Sequence, residues 1–201
     1  MLKVGLTGGL ASGKSFVGEA LAGCGCFLIR ADDLGHEVLA PGGAAFEPVV
    51  REFGQEILSA DGRIDRRQLA ARVFSDPQAL ARLNGWVHPA VIQREEQMMD
   101  EFSRREPNGI AVVEAAILIE TGSYKRFDRL ILVTCTEEQQ VARAMHRDHL
   151  EETEVRARLS RQMPLAEKQK FADFVIDTSG AKEETLRQTR TVYEALRRIQ
   201  I

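Results

Sequence analysis

Near the amino terminus Leu2, Val4 and Leu6 alternate with Lys3, Gly5 and Thr7, the two-residue period of a strand, and residues 15–21 that follow suit a helix. Residues 26–30, Cys-Phe-Leu-Ile-Arg, form a compact apolar run between Gly25 and the pair Asp32 and Asp33, which predicts a second, buried strand. Strand-type runs then stop until Ile110. In the interval Phe46, Val49, Val50 and Phe53 recur at helical spacing, as do Leu69, Val73 and Phe74, and then Leu80, Leu83, Val87, Val91 and Ile92. Gly62 to Asp65 reads as a turn with Asp65 capping the next helix, and Pro89 is expected to kink or restart a helix. Residues 110–114 predict a third strand ending on Glu114, residues 130–133 a fourth, and residues 174–176 a fifth that runs into a turn from Asp177 to Gly180. Leu186, Thr189, Val192, Tyr193, Leu196 and Ile199 then mark an amphipathic terminal helix that covers the sheet. Helical segments are expected between every pair of strands, which makes the sheet parallel. The helical stretch between the second and third strands is too long for a plain crossover and long enough for a substrate-binding lobe.

Chemistry enters where the first strand meets the first helix. Gly8, Gly13, Lys14 and Ser15 fall at the spacing G-x-x-x-x-G-K-S. Such a loop wraps tightly enough for successive backbone N–H groups to face phosphate oxygens at the electropositive start of a helix. Lys14 would hold the β- and γ-phosphates of a nucleoside triphosphate and the Ser15 hydroxyl would ligate Mg²⁺. The nucleotide-binding candidates are therefore Gly8, Gly9, Ala11, Ser12, Gly13, Lys14, Ser15 and Phe16. Glu114 closes a strand where an acid near the metal is expected, so Ser15 and Glu114 are the metal candidates. Asp32, also at a strand end, is either a catalytic carboxylate or the cap of the following helix. Beyond Thr136 come Arg143, His146, Arg147, Asp148, Arg156, Arg158 and Arg161, interleaved with Glu151, Glu152 and Glu154. They form either a solvated helix pair laced with ion pairs or a lid whose arginines close over phosphates.

Composition narrows the partners. At 201 residues and 44% hydrophobic, the chain can bury a sizeable core in one domain with insertions, and no apolar run approaches the ~20 residues needed to cross a bilayer. A net charge of -3 argues against a nucleic-acid partner. Cys24, Cys26 and Cys135 are three cysteines without a C-x-x-C pair, so neither a disulfide framework nor a zinc site is indicated and the chain reads as cytoplasmic. The Asn-Lys-x-Asp element of a base-reading GTPase is missing from the sequence, and the layout is that of a small-molecule kinase.

The whole chain resembles the bacterial dephospho-CoA kinases. The matching pieces are Val4-Gly-Leu-Thr-Gly-Gly-Leu-Ala-Ser-Gly-Lys-Ser15, Ala31-Asp32 with His36, Gly62-x-x-Asp65-Arg66 with Leu69 and Phe74, and Leu83-Asn84 with His88-Pro89; then Leu118-x-Glu120, Arg147-Asp148, Arg158 with Gln162, and Ala172-Asp173-x-x-Ile176-Asp177. The resemblance implies a P-loop NTPase-type five-stranded parallel sheet flanked by helices, a single domain with its core at 1–30, 107–136 and 171–201, a helical coenzyme-binding lobe at 31–106 and a lid at 137–170. It implies transfer of the ATP γ-phosphoryl to the ribose 3′-hydroxyl of dephospho-CoA, with Mg²⁺. Asp32 would be the general base; Lys14 and Arg147 would complete the catalytic set. His36, Arg66, Asn84, His88, Leu118 and Glu120 would line or support the coenzyme side; Arg143, Asp177, Thr178 and Gly180 would lie near ATP. The expected partners are ATP and dephospho-CoA alone, with neither nucleic acid nor membrane, the chain being a monomer or weak homo-oligomer. Arg30 stands where the family commonly has Asp and becomes a candidate for contacting substrate phosphate; Ala116 replaces the usual Pro and Thr178 the usual Asn. A kinase for another nucleotide or nucleoside, or an ATP-binding regulator without catalysis, stays open as an alternative.

Overall fold

The computed structural model describes residues 1–74 and 76–199, with Phe74 by its backbone alone. The apolar position expected at the Phe74 side chain and the last two residues of the expected core segment thus lie outside the described residues. By its internal contacts the chain divides into two compact units, residues 1–29 with 101–201, and residues 30–100.

The first unit is built on a parallel sheet. Its strands are β1 (Leu2–Gly8), β2 (Phe27–Arg30, whose last residue opens the second unit), β3 (Ile110–Glu114), β4 (Arg129–Thr134) and β5 (Phe174–Asp177), in the order β2-β3-β1-β4-β5. Central β1 pairs Leu6 with Glu114 of β3 on one side and Gly8 with Val133 of β4 on the other, and β4 pairs Thr134 with Asp177. The carboxyl ends of β1, β3, β4 and β5 therefore share one edge. Because the order reverses across β1, the crevice there is where open α/β sheets place ligands.

Both faces of β1 are covered. Leu2, Val4 and Leu6 join Val17 and Leu21 of α1 (Lys14–Gly23) and Val192 and Leu196 of α9 (Lys182–Ile199) in one core cluster. On the opposite face Gly5 leaves room for larger neighbours, since a Cβ there would sit 2.9 Å from Leu130 and 3.0 Å from Leu118. Cys26 is a core side chain whose thiol is pushed up to about 12 by burial, so it packs as a small apolar group.

Two expectations need correcting here. The connection from β3 to β4 carries no α-helix, only a 3-10 turn at Ser123–Arg126; its apolar Leu118 and Ile119 bury themselves with Leu130 instead. In α9 the buried stripe is Thr185, Thr189, Val192 and Leu196, whereas Leu186 is 45% and Ile199 41% exposed. Leu186 lies one residue, hence about 100°, off that stripe.

The remaining helices of the first unit are α6 (Glu137–Asp148), α7 (Glu152–Leu159) and the single turn α8 (Leu165–Lys168). α6 starts with a capping box: the Gln139 N–H donates to Thr136 Oγ1 at 3.2 Å and the Thr136 N–H to Gln139 Oε1 at 3.3 Å. Buried Val141, Ala144 and Val155 hold α6 to α7.

The second unit contains α2 (Ala31–Val38), α3 (Phe46–Phe53), α4 (Arg66–Phe74) and most of α5 (Pro77–Arg105). Asp65 caps α4 as expected, accepting from the Arg67 N–H at 2.8 Å and the Gln68 N–H at 3.2 Å. Pro89 does not restart a helix: α5 runs through it for 29 residues. The proline removes the bond that the Gly85 carbonyl would accept, and Gly85 is exposed, so water can take that place. The apolar face expected from Leu80 also shifts, because Leu80 is 42% exposed while Ala79, Ala90, Val91 and Met99 are buried. Among the described residues no helix is long and apolar enough to cross a membrane.

Candidate active site

The loop between β1 and α1 is held from several sides. Gly13 caps α1 with φ 91°, a left-handed conformation that glycine takes without strain, and the Ser12 N–H donates to the Gly9 carbonyl at 3.3 Å. Lys14 Nζ turns back over the loop and donates to the Gly9 carbonyl at 2.8 Å, with the Gly8 carbonyl at 3.5 Å. The Gln140 amide of α6 donates to the Leu10 carbonyl at 2.7 Å, and Gln162 Oε1 accepts from the Leu10 N–H at 2.9 Å. Gly9 must be glycine for that first clamp, since a Cβ would lie 2.2 Å from Gln140 Nε2.

The metal candidates meet. The Ser15 hydroxyl, on the first turn of α1, donates to Glu114 Oε1 at the end of β3 across 2.7 Å. Glu114 is buried, and Gly18, one turn after Ser15, leaves space for it: a Cβ there would lie 3.1 Å from Glu114 Oε2.

Arg143 and Arg147 of α6 line a cavity of about 310 Å³ together with Ala11, Ser12, Gly13, Lys14, Ser15 and Phe16. They are held differently. Arg143 donates to both Thr178 Oγ1 (2.9 Å) and the Thr178 carbonyl (2.7 Å), and the Thr178 hydroxyl donates to the Ser12 carbonyl at 2.8 Å. Thr178 is thus buried support between arginine and loop. Arg147 is exposed and grips Asp148 through two bonds of 2.7 and 2.9 Å, which hold that carboxyl below the usual range. Arg156 pairs with Glu152 at 2.8 Å and Glu137 at 2.9 Å, so here the charged pair of helices is laced by ion pairs. Asp177 is exposed and bonds the Ser179 N–H and hydroxyl, closing its own turn beside exposed Gly180. Phe16 lies beneath the Lys182 ammonium, 5.9 Å from its ring centre.

Two expected coenzyme-side residues, Leu118 and Glu120, lie in the first unit. Leu118 is only 4% exposed inside a core cluster, and Glu120 pairs with Lys168 at 2.8 Å while accepting from the Met163 N–H at 3.2 Å. The other candidates lie in the second unit. Asp32 is exposed at the second position of α2, whose cap is Arg30; no side-chain bond caps this helix, so the capping alternative for Asp32 falls. Arg66 Nη1 donates to His36 Nε2 at 2.7 Å, bringing those two candidates together. Asn84 and His88 sit one turn apart on α5, both partly buried, and burial lowers the His88 pKa. Three further residues are engaged at the loop: Gln140, Gln162 and Lys168. Gln140 and Lys168 lie in segments whose charge pattern reads as solvent-facing, and Gln162 appears only within the family pattern.

A glycine-rich loop with its lysine, a hydroxyl paired to a strand-end acid, and arginines beside the same cavity, all on a parallel sheet of this order, define a P-loop phosphotransferase. The model of the dephospho-CoA kinase family matches residues 2–184. The dephospho-CoA kinase of Shouchella clausii is 40% identical over 195 residues, covering 97% of each chain. Among solved structures, a Thermus thermophilus protein superposes with a TM-score of 0.81 at 34% identity over 96% of each chain, and the dephospho-CoA kinase from Campylobacter jejuni with 0.65 at 25% identity over 96% of each. The chain belongs to the dephospho-CoA kinase family and is an ATP-dependent kinase.

Proposed function

We propose that this chain transfers the γ-phosphoryl group of ATP to the ribose 3′-hydroxyl of dephospho-CoA, with the triphosphate held by the loop at Gly8–Ser15 and the acceptor by the second unit. The observation that carries the reading is the convergence of Lys14, the Ser15–Glu114 pair and Arg143 with Arg147 around one loop at the carboxyl edge of the sheet. Ser12 Oγ is buried with no hydrogen-bond partner among the described residues, a loop hydroxyl that a phosphate oxygen would satisfy.

Ser15 and Glu114 suit Mg²⁺, because they offer two oxygen donors from rigid elements and Mg²⁺ takes few protein ligands beside water and phosphate. When bound, that ion would neutralise charge on the β- and γ-phosphates. Lys14 would exchange its carbonyl partners for phosphate oxygens, and Arg147 would face the phosphoryl charge that builds in the transition state. Asp32 would accept the proton of the ribose hydroxyl, which is too weak an acid to lose it unaided. Its exposed place in the first turn of α2 leaves both oxygens accessible.

A coupled assay of ADP release, run with dephospho-CoA beside AMP and adenosine, tests this. Turnover with dephospho-CoA alone is expected. Phosphorylation of AMP or adenosine in its place would move the chain to another acceptor.

A further inference from the structure

Lys168 is the largest fully buried side chain of the described residues, with none of its surface exposed, although it sits in the run Glu167-Lys168-Gln169-Lys170. An ammonium taken out of water is costly unless acceptors replace its hydration. Here three acceptors surround Nζ: Glu120 at 2.8 Å, the Ala116 carbonyl at 2.9 Å and, longer, the Gly8 carbonyl at 3.4 Å. They come from the β3–β4 connection and from the first residue of the phosphate loop. The Gly8 carbonyl is the one that Lys14 Nζ also approaches, at 3.5 Å.

We propose that Lys168 is a positioning residue for nucleotide binding. It holds the Gly8 carbonyl from the protein side, so that the loop keeps its shape when Lys14 leaves its carbonyl partners for phosphate. This rests on the reading that the loop binds ATP. Two further bonds support it. Glu120, besides pairing with Lys168, accepts from the Met163 N–H at 3.2 Å, and Gln162 Oε1 accepts from the Leu10 N–H at 2.9 Å. The segment 162–168 is thereby fixed to the loop at Leu10 and Gly8 and to the β3–β4 connection at Ala116 and Glu120. It forms the fixed foot of the arginine-bearing helices. The role also explains why a lysine stands there. An uncharged side chain of the same length would fill the space but could not bond two carbonyls from opposite elements.

The test compares wild type, Lys168→Met and Glu120→Gln, each checked for folding by circular dichroism and thermal melting. Calorimetric Kd for ATP with Mg²⁺ and KM for dephospho-CoA are then measured. Lys168→Met is expected to weaken ATP binding about 10- to 100-fold, the scale of losing a charged hydrogen bond, with KM for dephospho-CoA within about twofold of wild type. Glu120→Gln keeps an acceptor for Lys168 and for the Met163 N–H, and should cost less than about threefold in ATP affinity. Wild-type ATP affinity in folded Lys168→Met overturns the proposal, as does an equal loss for both substrates. Should Lys168→Met not fold, Lys168→Gln, which also removes the ammonium, decides through the same selectivity: ATP affinity lowered more than about threefold with KM for dephospho-CoA unchanged supports the role, and wild-type ATP affinity, or a loss shared with dephospho-CoA, overturns it. Failure of wild type itself to bind ATP would instead remove the reading of the loop on which this rests.

Discussion

Asp32, the proposed base, is the residue whose loss should be cleanest. It is exposed, caps nothing and leaves α2 otherwise intact, so Asp32→Asn is expected to lower kcat by at least ~100-fold while calorimetric ATP affinity stays unchanged. An unaltered kcat would take Asp32 out of the reaction. His88 makes a second residue-scale prediction through its protonation. Burial lowers its pKa from 6.5, so the neutral ring is the form the fold accommodates. Below about 6.5 the unfolded chain binds the proton more readily than the folded one; stability present above that pH is therefore lost as the pH falls toward the depressed value. The melting temperature should drop as the pH falls below about 6.5, and His88→Gln should flatten the slope. Identical slopes in the two proteins would refute the assignment. What the sequence could announce at this scale depended on repetition of a known spacing. Lys14 and Ser15 stand in a spacing that only one chemistry explains. Lys168 stands among Glu167, Gln169 and Lys170, and only tertiary structure reveals that its neighbours face water while it does not.

The phosphate loop as an element stands on two glycines with different jobs. A Cβ on Gly8 would lie 2.6 Å from the Val133 carbonyl of β4, a backbone atom that cannot retreat without moving a central strand. On Gly9 it would meet the end of a side chain, Gln140 Nε2, which can swing away and give up its bond to the Leu10 carbonyl. Gly8→Ala should therefore destabilise the fold by about 1–3 kcal/mol, and Gly9→Ala by about 1 kcal/mol. Both should weaken ATP binding. Chemical denaturation read beside ATP titration checks the order, and a Gly9→Ala protein less stable than Gly8→Ala would contradict it. The strands were the most legible elements. In β3 and β4 each residue from Ile110 to Glu114 and from Leu130 to Val133 is buried, because helices or loops cover both faces of the sheet, and the unbroken apolar run is the imprint of that. Helices were less legible where one local rule dominated. Pro89 reads as a kink or a restart, and of these the restart fails: the 29-residue α5 runs through it, since exposed Gly85 can hydrate the carbonyl the proline leaves without a partner. The apolar Leu80 and Leu186 belong to helical patterns and still face outward, because Ala79 and Thr185 beside them take the buried positions.

At the scale of the whole molecule, the candidates for the two substrates fall mainly in different units, Leu118 and Glu120 being the coenzyme-side candidates that lie in the first. The loop, Glu114, Arg143 and Arg147 belong to residues 1–29 with 101–201; Asp32, His36, Arg66, Asn84 and His88 belong to residues 30–100. That separation makes a prediction that needs no chemistry to occur. Each ligand stabilises only states in which its own contacts are formed, and at a concentration about 100-fold above its Kd it adds about 2.7 kcal/mol against opening of those contacts. Amide hydrogen exchange should therefore distinguish the two. A non-hydrolysable ATP analogue with Mg²⁺ should slow exchange in residues 8–18 and the first turn of α9; dephospho-CoA alone should slow it in α2, α4 and the stretch of α5 around Asn84 and His88. Helix α5 offers an internal control. It begins in one unit and ends in the other, so protection by dephospho-CoA should fade along it toward Phe102, whose ring stacks on Phe27 at 4.7 Å within the first unit. Protection by dephospho-CoA confined to residues 1–29 and 101–201 would sink the assignment of the helical unit to the acceptor, and would leave the loop's assignment to ATP untouched.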